Sequence, residues 1–147
     1  MASRGDRLNV TDPASWIPHR APILAVDSVE VESAGERGAG RRHFEASDPW
    51  FAGHFPGNPV LPGVAMIEGM AQTAAIVLLT ARGKGGGGFL ADVSRFRFKS
   101  PVVPPADLTF EVQVAGVFGR LCKVTGRVLS GGAVVAEGEL VISAEPE

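Results

Sequence analysis

Apolar and polar positions alternate along much of this chain, but between residues 64 and 81 the apolar ones run almost without a break. The polar interruptions near the start of that run are Glu68 and Gln72, four apart and therefore on one helical face. At a rise of about 1.5 Å per residue the run makes a helix about 27 Å long. A bilayer span needs about 20 apolar residues, and a carboxylate at its centre costs a few kcal/mol. The pattern therefore predicts a core helix of a soluble protein, apolar nearly all round, which other elements must wrap.

Period-two alternation supplies the wrapper. Strands are predicted over residues 23–32, 41–46, 89–99, 108–118, 121–129 and 133–143, with a turn over 35–40 and further turns at Gly119 and at Gly131-Gly132. In 89–99, Phe96 and Phe98 fall on one face and Arg95, Arg97 and Lys99 on the other. Thr11-Asp12-Pro13 starts a short helix ending before Pro18, and Asp48-Pro49 starts a single helical turn. Residues 82–88 hold five glycines and no apolar side chain, a flexible connection without the order of residues that a phosphate loop requires. One helix, about six strands and no βαβ alternation predict an α+β fold, an antiparallel sheet around one long central helix, with residues 1–147 as a single domain. Such a sheet leaves open edges, and pairing with a second copy is a common remedy, so a homodimer is expected.

Composition changes this picture little. A net charge of −2 creates no global field toward nucleic acid or membrane, and neither is expected as a partner. The one cysteine cannot form an intrachain disulfide, and the polar, charged first residues lack the apolar core of a signal peptide, so a cytoplasmic location is expected. No His, Cys and carboxylate grouping has ligand spacing, so neither a metal nor another cofactor is implied.

The candidate chemistry lies where the loop meets the helix, in GHFPGNPVLPGVAMIEGMAQ, residues 53–72. Pro56, Pro59 and Pro62 stiffen a loop carrying His54, Gly63 opens the helix, and Glu68 and Gln72 follow on the packed side. An imidazole titrates near neutrality and suits a general base. A carboxyl at the base of an apolar helix is disfavoured as an anion and can hold a proton. The first amide of a helix, on a residue without a side chain, can receive negative charge developing on an oxygen. His19 and His43 read as structural histidines.

These residues carry a resemblance. Pro18-His19-Arg20 with Pro22 and Val26-Asp27, then Gly53-His54-Phe55-Pro56-Gly57 through Pro62-Gly63-Val64, Ile67-Glu68 and Ala71-Gln72, and lastly Phe98-Lys99 with Pro101-Val102-Val103-Pro104, follow one another as in the FabZ-type (3R)-hydroxyacyl-acyl carrier protein dehydratases, a hotdog-fold family. The chain resembles that family over most of its length. The resemblance implies dehydration of (3R)-hydroxyacyl thioesters on acyl carrier protein to trans-2-enoyl thioesters. It implies His54 as base, Glu68 as acid, Gly63 as amide donor to the thioester and Gln72 as hydrogen-bond partner of the acid. It also implies a homodimer, or three such dimers in a hexamer, with the two catalytic groups coming from different subunits. A one-base route, in which Glu68 and Gln72 orient a water, uses the same residues.

Two departures stand out. Pro105-Ala106-Asp107 replaces the family's Gly-Asp after Pro104, and the chain has no tyrosine for the usual aromatic gate, a place Phe89 can take. The Arg95, Arg97 and Lys99 stripe is either a solvated strand face or a dock for an acidic carrier protein. Two other functions fit a helix acid with an amide donor: an acyl thioesterase, and a non-catalytic module that binds acyl chains or carriers.

Overall fold

The computed structural model describes residues 5–144. Helix α1 runs from Gly63 to Arg82. It starts where Pro62 leaves the extended conformation and stops at left-handed Gly83, whose amide donates back to the Leu79 and Thr80 carbonyls. By length and composition α1 could cross a membrane, but 61% of its most apolar window is enclosed by the protein's own sheet.

That sheet has seven antiparallel strands: β1 Leu8–Val10, β2 Ser28–Ser33, β3 Arg37–Phe44, β4 Gly88–Phe98, β5 Ala106–Phe118, β6 Leu121–Ser130 and β7 Ala133–Ala144. Their order is β1-β2-β3-β5-β6-β7-β4, so β1 and β4 are its edges. The helix packs mainly against β3 and β5, and the core closes between them with Phe44, Met70, Ile76, Leu108 and Phe110 fully buried. This is the hotdog arrangement.

The close approach of helix to sheet explains one difference from the expected elements. Residues 35–40 are not a turn: β3 starts at Arg37, and Gly38 and Gly40 lie within it. A Cβ on Gly40 would stand 2.0 Å from Thr73 Oγ1, and one on Gly69 of α1 would stand 2.2 Å from Phe110 Cζ. These glycines bring the two layers into contact, which a reading of glycine as turn-former misses.

Other boundaries move for local reasons. β2 begins at Ser28, five residues later than predicted, because Ile23 and Ala25 are bonded to Gln72 of α1 and not to a strand. β1 was not anticipated; three residues give too short a pattern to read. The short helices are 3-10 turns, Pro13–Ser15 and Pro49–Phe51. In β4 the expected strict alternation fails: its register against β7 shifts between Ser94 and Arg97, and Arg95 takes a positive φ of 53°. A bulge there resets which residues share a face.

Candidate active site

Glu68 and Gln72 meet as their spacing requires: Gln72 Nε2 donates to Glu68 Oε2 at 2.8 Å. The amide is itself fixed on every side. Its Oε1 accepts the Ala25 amide at 2.7 Å, and Nε2 also donates to the Ile23 carbonyl at 2.9 Å. Because a carbonyl can only accept and an amide N–H only donate, these partners settle which end of Gln72 is nitrogen. Buried Gln72 thus ties α1 to the loop of residues 21–27 and clamps one oxygen of the acid.

The Glu68 carboxyl is not buried as expected. Its side chain keeps 30% exposure, because it faces the wall of a cavity of about 600 Å³ and not the sheet. Below Glu68 that wall is apolar, with Ala71, Ala75 and Leu78 of α1 and Leu121 and Ile142 of the sheet, and Phe89, 72% exposed, also lines the cavity.

His19, read from the sequence as structural, enters the same cavity. Its Nε2 lies 3.9 Å from Glu68 Oε2. Sequence spacing gives no hint of this pair, 49 residues apart; the one available signal is that His19 belongs to the Pro18-His19-Arg20 landmark.

His54 sits elsewhere. Its Nδ1 is 2.7 Å from the Val60 carbonyl, Val60 returns its amide to the His54 carbonyl at 2.9 Å, and the ring stacks on Phe55 with centroids 4.2 Å apart. A carbonyl accepts only, so Nδ1 carries the proton and Nε2 presents a lone pair. Among the described residues no hydrogen bond or ion pair joins His54 to Glu68, and His54 does not line the cavity. A single chain therefore does not bring the two groups together. Gly63 is the first residue of α1, where an amide has no intrahelical acceptor, and Phe98 packs over its Cα side at a distance that excludes any Cβ.

Of the basic stripe, Arg95 and Arg97 are exposed on β4 and Lys99 just beyond its end, with Lys99 Nζ 3.0 Å from Glu137 Oε1. His43 stays outside the cavity lining. Its ring nitrogens face Glu45 at 2.6 Å and Asp107 at 2.7 Å, and these hydrogen bonds, Glu45 first, raise its proton affinity above the ordinary histidine range. Nearby, burial pushes the Asp48 carboxyl up, but the Arg42 guanidinium and the Glu45 amide outweigh it and hold the group below its usual range.

A model of FabA-like domains matches residues 17–144. The 3-hydroxyacyl-acyl-carrier-protein dehydratase FabZ of Thermomicrobium roseum is 41% identical over 128 residues, 86% of each chain. The chain belongs to the FabZ-type dehydratases. The FabZ of Caldicellulosiruptor bescii, at 39% identity over 136 residues, covers 92% of this chain and 97% of that one. Solved structures agree on the fold of this FabZ-type chain. A dehydratase heterocomplex, ApeI:P, from Xenorhabdus doucetiae superposes with a TM-score of 0.76 at 17% identity, covering 92% of this chain and 91% of that one. A hypothetical thioesterase with coenzyme A from Streptococcus pneumoniae does so at 0.64 and 12%, covering 85% and 91%. As a FabZ-type dehydratase the protein is a hydro-lyase.

Proposed function

We propose that the protein removes water from (3R)-hydroxyacyl groups carried on acyl carrier protein, as one domain over residues 1–147 working in the cytoplasm as a homodimer. The observation that carries this reading is the Glu68 carboxyl, clamped through one oxygen by Gln72 at the wall of a cavity that is apolar below it. His54 Nε2 takes the proton from the carbon next to the thioester carbonyl. The electrons move onto the thioester oxygen, where the Gly63 amide meets the negative charge. They return to form the carbon–carbon double bond as the hydroxyl leaves with the proton of Glu68, as water. Solvent then exchanges the proton now on His54 for the one Glu68 has lost.

The separation of His54 from the cavity within one chain favours a site completed by a second copy. β4 supports the same reading: it is an open edge of 11 residues on which Phe89, Leu90, Val93 and Phe98 are exposed. A trimer of such dimers is compatible with it. Arg95, Arg97 and Lys99, exposed near Phe98, are the proposed contact for the acidic carrier, and Phe89 the gate of the cavity.

The test is turnover of a (3R)-hydroxyacyl thioester, on carrier protein and on a pantetheine mimic, followed by enoyl absorbance. The wild type is expected to form the enoyl thioester, and His54→Ala to lose about 100-fold or more in rate. Free acid and thiol would make the protein a thioesterase. Binding without turnover in both proteins would make it an acyl- or carrier-binding module.

A further inference from the structure

We infer that His19 is a positioning residue for this reaction, acting through Glu68; the inference rests on the proposed dehydration. Two nitrogens converge on Glu68 Oε2, Gln72 Nε2 at 2.8 Å and His19 Nε2 at 3.9 Å, while Oε1 has no hydrogen bond among the described residues. The first contact is a hydrogen bond. The second is longer than one and acts as a dipole or charge at close range, or through one bridging water.

His19 is held in place from its backbone. Arg20 Nη1 donates to the Ile17 carbonyl at 2.9 Å and to that of His19 at 2.7 Å, and the Ile23 and Leu24 amides close on the Arg20 carbonyl. This turn leads into the segment that Gln72 grips through Ile23 and Ala25, so imidazole and amide are set by one loop. The His19 ring is also asymmetric: Nδ1 is buried with no hydrogen-bond partner. A buried lone pair without a partner costs less than a buried N–H without one. The proton therefore belongs on Nε2, the nitrogen that faces Glu68.

The other charged groups near the carboxyl are accounted for. Arg20 is turned to backbone carbonyls, and Glu68 is the one ionisable side chain in the first turns of α1. Arg82 lines the same cavity but lies 14 residues along the helix, about 21 Å away, and Arg120 is at that far end too. In the proposed dimer His54 of the second copy supplies the remaining group. With Gln72, His19 thus draws Oε2 away from the substrate and fixes the plane of the carboxyl. The acid's proton is left on Oε1.

The experiment compares kcat and KM for wild type, His19→Asn and His19→Gln on the same hydroxyacyl thioester, with thermal melts alongside. His19→Asn is expected to lower kcat about tenfold, the scale of one contact to a charged group, with KM within twofold. His19→Gln, which keeps a donor on a longer arm, is expected to recover most of kcat. Unchanged kcat in both variants would overturn the assignment, and so would a loss of kcat that glutamine does not restore, the mark of a packing role. If the asparagine variant melts early, the glutamine variant decides. A wild type that does not turn over removes the reaction and this role together, whereas unchanged kcat in both variants of an active enzyme removes the role of His19 alone.

Discussion

His43 stands on β3 with a carboxylate against each ring nitrogen, and the sign of its contribution can be worked out from that alone. Its proton is held more tightly folded than unfolded, from an ordinary value of 6.5, by Glu45 first and Asp107 second. The stabilisation is therefore fully present below about 6.5 and is lost as pH rises through the higher folded value. The difference in Tm between wild type and His43→Gln is expected to be small, largest near pH 6 and gone in alkaline buffer; a pH series of melts checks this. At this scale the sequence was readable where partners are close in the chain. Spacing of four put Gln72 on Glu68. His19 was not readable, because its approach to Glu68 depends on how a proline-rich loop folds across a helix 49 residues away.

The elements were legible to the extent that each buries its own pattern. α1 and the run of strands from β5 to β7 follow from apolar periodicity, since both faces of each were fixed by local sequence. β3 was shortened in the sequence reading because its glycines answer to the helix opposite and not to their neighbours in the chain. The same contact makes a prediction. Gly69→Ala gains about 1 kcal/mol of helix propensity, but its methyl would stand 2.2 Å from the ring of a fully buried phenylalanine. Overpacking of that kind costs about 1–3 kcal/mol and has no flexible chain end to relieve it. Denaturant unfolding is expected to show net destabilisation. Gly53→Ala, with nothing within 4 Å, should stay within about 0.5 kcal/mol of wild type.

At the scale of the whole molecule, separate placement of His54 and Glu68 makes the proposed assembly testable by complementation. His54→Ala and Glu68→Gln are each expected to be inactive as pure preparations. Unfolded together and refolded as an equal mixture, they should recover roughly a quarter of wild-type enoyl formation, because half the pairs in a two-fold dimer are mixed and each mixed pair has one intact site. No recovery would mean that both groups serve one chain. The fold also divides α1 lengthwise. Gly69, Thr73, Ile76 and Val77 lie on the buried side toward the sheet, whereas Glu68, Ala71, Ala75 and Leu78 form the cavity wall. The first set admits little variation, since at Gly69 even a methyl group meets a neighbour, while the alanines of the second border open cavity volume into which they can enlarge. Descent with modification can therefore retune which acyl chains are accepted along one stripe of the helix, leaving the other stripe to conserve the architecture.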